Sequence, residues 1–89
     1  MGHETVLFKS EEKKTKSEIA DVLRLLADKV TQGRMSLNNQ EVIVDLEFPE
    51  SMTLEIKVEE ETKHKTKRSL EIELEWTVGA NEQGSMVIV

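Results

Sequence analysis

The stretch SLEIELEW, residues 69–76, decides the fold. Side chains alternate across an extended strand. Leu70, Ile72, Leu74 and Trp76 therefore fall on one side, and Glu71, Glu73 and Glu75 on the other. Unbroken period-two alternation is the mark of a half-buried strand, apolar toward a core and acidic toward water. Two upstream segments repeat the pattern. In 42–48, Val42, Val44, Leu46 and Phe48 alternate with Ile43, Asp45 and Glu47. In 52–60, Met52, Leu54, Ile56 and Val58 alternate with Thr53, Glu55, Lys57 and Glu59. Strands buried in a parallel sheet are apolar on both faces, so these belong to an antiparallel sheet. Pro49 marks the first turn, because it cannot donate to a ladder, and a polar segment, 61–68, makes the second. The three strands then connect as a meander. ETVLFKS, residues 4–10, reads as a further strand, although Val6, Leu7 and Phe8 are consecutive and choose no face.

Between 4–10 and 42–48 lies one helix. Thr15 and Glu18 form a T-x-x-E capping box, in which each side chain serves the other residue's backbone N–H. Ile19, Val22, Leu23, Leu26, Ala27 and Val30 then recur at three- and four-residue spacing and make one apolar stripe. Gly33 is the natural stop, since glycine enters the left-handed cap without a Cβ penalty. A helix with one apolar stripe and a sheet with one apolar face must cover each other. The expected fold is therefore α+β: two layers, an antiparallel sheet of about four strands, and the amphipathic helix packed on one face. That domain spans 4–76, and a tail, 77–89, remains as an extra strand or a subunit contact. No internal repeat is visible.

Length and composition limit the rest. Eighty-nine residues is the size of one domain, and a chain this short has a thin core. It has no cysteine, which excludes disulfides and thiolate metal cages and fits a reducing cytoplasm. No run approaches the ~20 apolar residues of a membrane span, and the N-terminal apolar stretch is too short for a secretory leader. The net charge is −6, unevenly placed. Residues 41–61 carry net −7, and residues 62–70 carry net +4 through Lys63, Lys65, Lys67 and Arg68.

The chemistry-bearing residues assemble into no known catalytic pattern. The acidic row of Glu71, Glu73 and Glu75 has carboxylates about 6.6 Å apart along the strand. Calcium needs six to eight oxygens, usually from a tightly turning loop. The row is read as a solvated face, or as a surface for a basic partner. His3 and His64 are isolated and make no zinc set. The serines sit in no nucleophile elbow, and no Gly-rich loop opens a helix to cradle a phosphate. No catalytic, cofactor or metal residue is assigned. The basic connector 63–68 lacks the aromatics that stack on bases, and the overall charge repels a phosphate backbone. Trp76 is a packing or interface anchor. Met86, Val87, Ile88 and Val89 form an apolar run suited to an interface.

Several stretches together resemble the amphi-Trp domain family, small prokaryotic and archaeal proteins named for an amphipathic last strand ending in tryptophan. They are VLFKSE at 6–11, IADVLRLLADKV at 19–30, VIVDLEFPESMTLEIKVEEE at 42–61 and RSLEIELEW at 68–76. The resemblance covers residues 4–76. It implies a cytoplasmic α+β module and supplies no catalytic residues. The departure from it is the tail beyond Trp76.

The functional expectation is a small non-enzymatic interaction module that self-associates, as a homodimer or with another protein partner and away from membranes. The thin core and the leftover apolar residues Leu7, Ile43 and Met86–Val89 motivate it. A second reading is a divalent-cation or small-ligand protein using the acidic sheet face. A third is weak nucleic-acid binding through 63–68.

Overall fold

The computed structural model describes residues 2–79. The chain divides into two compact units, Met1–Phe48 and Pro49–Val89. Each is taken by itself below.

The first unit is built on helix α1 (Lys16–Gln32). Its start is the expected capping box. Thr15 is extended at φ −75°, ψ 165°, the Glu18 N–H donates to Thr15 Oγ1 at 3.2 Å, and the Thr15 N–H donates to Glu18 Oε1 at 2.9 Å. Its end is Gly33, left-handed at φ 93°, whose N–H donates to the carbonyls of Lys29 and Val30. A Cβ on Gly33 would meet no atom within 4 Å, so backbone conformation alone asks for glycine. The left-handed residue turns the chain back into β1 (Arg34–Asn38), which lies against α1.

β1 pairs antiparallel with β2 (Ile43–Glu47), with Met35 opposite Leu46 and Leu37 opposite Val44. Asn39 makes the turn: its Oδ1 accepts from the Glu41 and Val42 N–H groups, both at 2.8 Å. Asn favours this geometry because its side chain mimics a backbone turn. At the other end the Phe48 N–H donates to the Gly33 carbonyl at 2.8 Å, which ties the hairpin to the helix cap. Met35, Leu37, Val44 and Leu46 are half-buried, as are Leu26 and Val30 of α1.

The second unit is a longer hairpin, β3 (Thr53–Thr62) with β4 (Thr66–Glu75). Its register places Leu54 opposite Leu74, Ile56 opposite Ile72, and Val58 opposite Leu70. Only Lys63, His64 and Lys65 remain in the loop, where the Lys63 N–H donates to the Lys65 carbonyl at 3.0 Å.

The α+β class is as the patterning implies, and the sheet differs. Among the described residues there are two two-stranded sheets, β1–β2 and β3–β4, in place of one sheet of about four strands. Residues 4–10 form no strand. Three adjacent apolar residues have no period of two, and Val6 and Leu7 are exposed. The fourth strand is instead 34–38, whose Met35 and Leu37 alternate with Ser36 and Asn38. The segment 61–68 is mostly strand, because its charges pair across the hairpin: Glu60 faces Arg68 and Glu61 faces Lys67. The helix stripe is half-buried only at Leu26 and Val30, nearest the Gly33 reversal, whereas Ile19, Val22 and Leu23 stay about half exposed. No residue among those described is fully buried.

Candidate functional site

The β3–β4 hairpin has two faces of opposite chemistry. One carries a ladder of three apolar pairs, Leu54–Leu74, Ile56–Ile72 and Val58–Leu70. Five of these six side chains belong to residues between 50% and 63% exposed. The next rung on the same face is Glu60–Arg68. Arg68 Nε donates to Glu60 Oε2 at 2.6 Å, and the guanidinium Nη2 is ion-paired with the same oxygen. Beyond it the Thr62 and Thr66 hydroxyls are hydrogen-bonded at 3.0 Å. The apolar surface is thus bounded at the tip by a charged rung and a hydroxyl rung. At the root Met52 and Trp76 flank it, both half-buried, with Trp76 one residue beyond the end of β4.

The other face carries Glu55, Lys57, Glu59 and Glu61 from β3, with Lys67, Glu71, Glu73 and Glu75 from β4. Glu71, Glu73 and Glu75 are therefore together on one exposed face. Glu55 lies directly opposite Glu73, a like-charge pairing that destabilises a sheet. The protein answers in two ways. Glu73 is raised above its ordinary pKa, first by hydrogen bonding with the Glu55 carboxyl, then by the charges of Glu55 and Glu75. Lys57 sits one rung away, 3.7 Å from both Glu59 and Glu71. Its own pKa is raised, first by Glu59 and then by Glu71.

This face holds no built ion site. Among the described residues no group of three or more His, Asp or Glu side chains is placed to hold a metal ion. An open depression of about 570 Å³ near the tip is lined by Glu59, Glu60, Glu61, Lys67, Arg68 and Ser69. Its carboxylates and cations partly neutralise one another. The basic connector is compromised as a phosphate contact for the same reason, since Arg68 pairs with Glu60 and Lys63 with Glu61. His3 and His64 are both exposed and lie at the terminus and the tip. Met86, Val87, Ile88 and Val89, singled out as interface residues, lie outside the described residues.

Two features escape a reading of the strands one at a time: the Glu55–Glu73 opposition and the Glu60–Arg68 boundary. The signal for both was the position of the turn. A loop centred on His64 pairs residues equally distant from it.

Fold and surface define a small α+β protein whose most distinctive element is an amphipathic hairpin ending next to a tryptophan. The chain belongs to the Amphi-Trp domain family, whose profile matches residues 1–89, including the stretch beyond Trp76. No curated protein and no solved structure is significantly similar to it.

Proposed function

We propose that this protein is a small, non-enzymatic, cytoplasmic interaction module that works by self-association. The observation that carries the reading is the apolar surface left open. Leu54, Ile56, Val58, Leu70 and Ile72 are at least half exposed, while no described residue is fully buried. Contiguous exposed apolar surface on a soluble chain marks an interaction site. Small domains that cannot bury enough surface alone commonly gain it by pairing. The non-enzymatic part rests on the sequence, which offers no activated nucleophile and no phosphate cradle. The cytoplasmic part rests on the cysteine-free composition. Among the described residues no helix is long and apolar enough to cross a membrane.

Light scattering on the purified full chain, from low micromolar to several hundred micromolar, tests the proposal. The expected result is a molar mass that rises toward twice that of one chain. A single-chain mass at every concentration overturns it.

A further inference from the structure

We propose that the outer edge of β4 pairs antiparallel with β4 of a second copy of this chain, joining two hairpins into one four-stranded sheet. The inference rests on the self-association proposed above and adds the edge, the partner and the register.

The edge itself is the first argument. Among the described residues no strand pairs with the outer side of β3 or of β4. Such an edge presents a row of N–H and C=O groups that no ladder uses, and these are what strand addition draws on for affinity. Every residue of β4 except Leu74 is exposed.

Charge chooses the strand and its direction. β4 carries Lys67 and Arg68 near its start and Glu71, Glu73 and Glu75 toward its end. A strand whose charge changes sign along its length is complementary to an antiparallel copy of itself and repels a parallel one. β3 lacks that division. Its carboxylates lie toward both ends, at Glu55 and at Glu59 to Glu61, and its one cation, Lys57, is already 3.7 Å from both Glu59 and Glu71.

The same pattern fixes the register. Residues directly opposite share a face of the sheet, so even-numbered positions must meet even-numbered ones to keep the apolar row continuous. A two-fold axis at Leu70 sets it against Leu70 of the partner subunit. Lys67 then lies opposite the partner's Glu73, Ser69 opposite the partner's Glu71, and Thr66 opposite the partner's Leu74. This register joins residues 66–74 and opposes no like charges. An axis at Glu71 sets the two copies of that carboxylate against each other. An axis at Ile72 sets Glu71 against the partner's Glu73, and an axis at Ser69 shortens the ladder to 66–72.

The two charges that the register joins are poorly answered within one chain. Glu73 faces the like charge of Glu55. Lys67 faces Glu61, which is ion-paired with Lys63 at 3.9 Å. Both lie on the acidic face, so edge pairing brings them side by side on one face of the joined sheet. Two-fold symmetry makes the contact twice. Exposed pairs of this kind are screened, so the dimer is expected to weaken with added salt.

The test uses the full chain, which has no cysteine. In the Leu70→Cys variant the two thiols face each other across the axis, with Cα atoms about 5.5 Å apart, within reach of a disulfide. In Val58→Cys they are three strand spacings apart, about 14 Å, and out of reach. Mild oxidation is expected to yield a covalent dimer from the first variant and none from the second. Glu73→Lys relieves the opposition with Glu55 and sets Lys against Lys across the edge. Light scattering is expected to show at least a tenfold loss of dimer affinity, about 1.4 kcal/mol, although the urea midpoint does not fall. The double variant Lys67→Glu, Glu73→Lys is expected to recover most of that affinity. A dimer that Glu73→Lys leaves intact, or one that Val58→Cys cross-links as readily as Leu70→Cys, overturns the edge while self-association stands. If the unsubstituted chain is a monomer throughout, both proposals fall. If Leu70→Cys unfolds the chain, the charge exchange alone decides.

Discussion

Glu60 and Arg68 face each other across β3 and β4 on the same side as the apolar ladder, and their ion pair is where that ladder ends. The pair is exposed, so its own stabilisation is small, below about 1 kcal/mol. Its larger effect is on extent. Without it the apolar surface would run one rung further toward the tip.

The double variant Glu60→Val, Arg68→Leu is therefore expected to keep the hairpin and to associate more readily. Light scattering should show oligomers at lower concentration than in the wild type, with larger species present. An unchanged concentration dependence would mean that the charged rung does not limit the surface.

Thr15→Ala removes a hydroxyl that accepts from the Glu18 N–H at 3.2 Å. It also weakens the reciprocal Glu18 bond, which holds that carboxyl below its usual pKa. The expected loss is about 1 kcal/mol, read as a lower urea midpoint by circular dichroism. Thr15→Ser should recover most of it.

Gly33→Ala tests backbone conformation without sterics. The new Cβ meets nothing within 4 Å, yet φ is 93°. A destabilisation of about 1 kcal/mol is expected, and Gly33→Asn should cost less, because asparagine tolerates the left-handed region. Equal stability for alanine and glycine would show that the helix end does not need this conformation.

The Glu55–Glu73 opposition makes stability depend on pH. The folded chain holds a proton on Glu73 at pH values where the unfolded chain has released it. Stability therefore falls as pH rises from the ordinary glutamate value, about 4.3, through the raised one, and the penalty is constant above that. Glu73→Gln mimics the protonated form. Its urea midpoint should exceed that of the wild type at pH 7 and converge with it near pH 4. A difference that does not change with pH would assign the effect to something other than this carboxylate pair.

The helix was legible because three independent signals agree on it: Thr15 with Glu18, the stripe from Ile19 to Val30, and Gly33. The β3–β4 hairpin was legible through alternation alone. Alternation names the face of each residue and leaves its partner open, so the division into two sheets and the rungs Glu55–Glu73 and Glu60–Arg68 needed the turn at His64 to be placed. Residues 4–10 failed as a strand because Val6, Leu7 and Phe8 satisfy composition without periodicity. Strand 34–38 carries a weak signal because Ser36 and Asn38 are poor strand formers, and the Asn39 turn and the Phe48–Gly33 bond secure it from outside. The openness of the apolar faces was not legible, since a pattern shows which residues seek cover and not whether they find it.

The carboxylates that alternate along β3 and β4 also bear on a hazard of such a hairpin. A long, exposed, amphipathic strand is a template for fibril growth, in which identical segments stack in register about 4.8 Å apart. In that stack Glu55, Glu59, Glu71, Glu73 and Glu75 would each lie directly above and below copies of themselves, forming continuous columns of negative charge. The acidic row thus opposes endless polymerisation along the backbone.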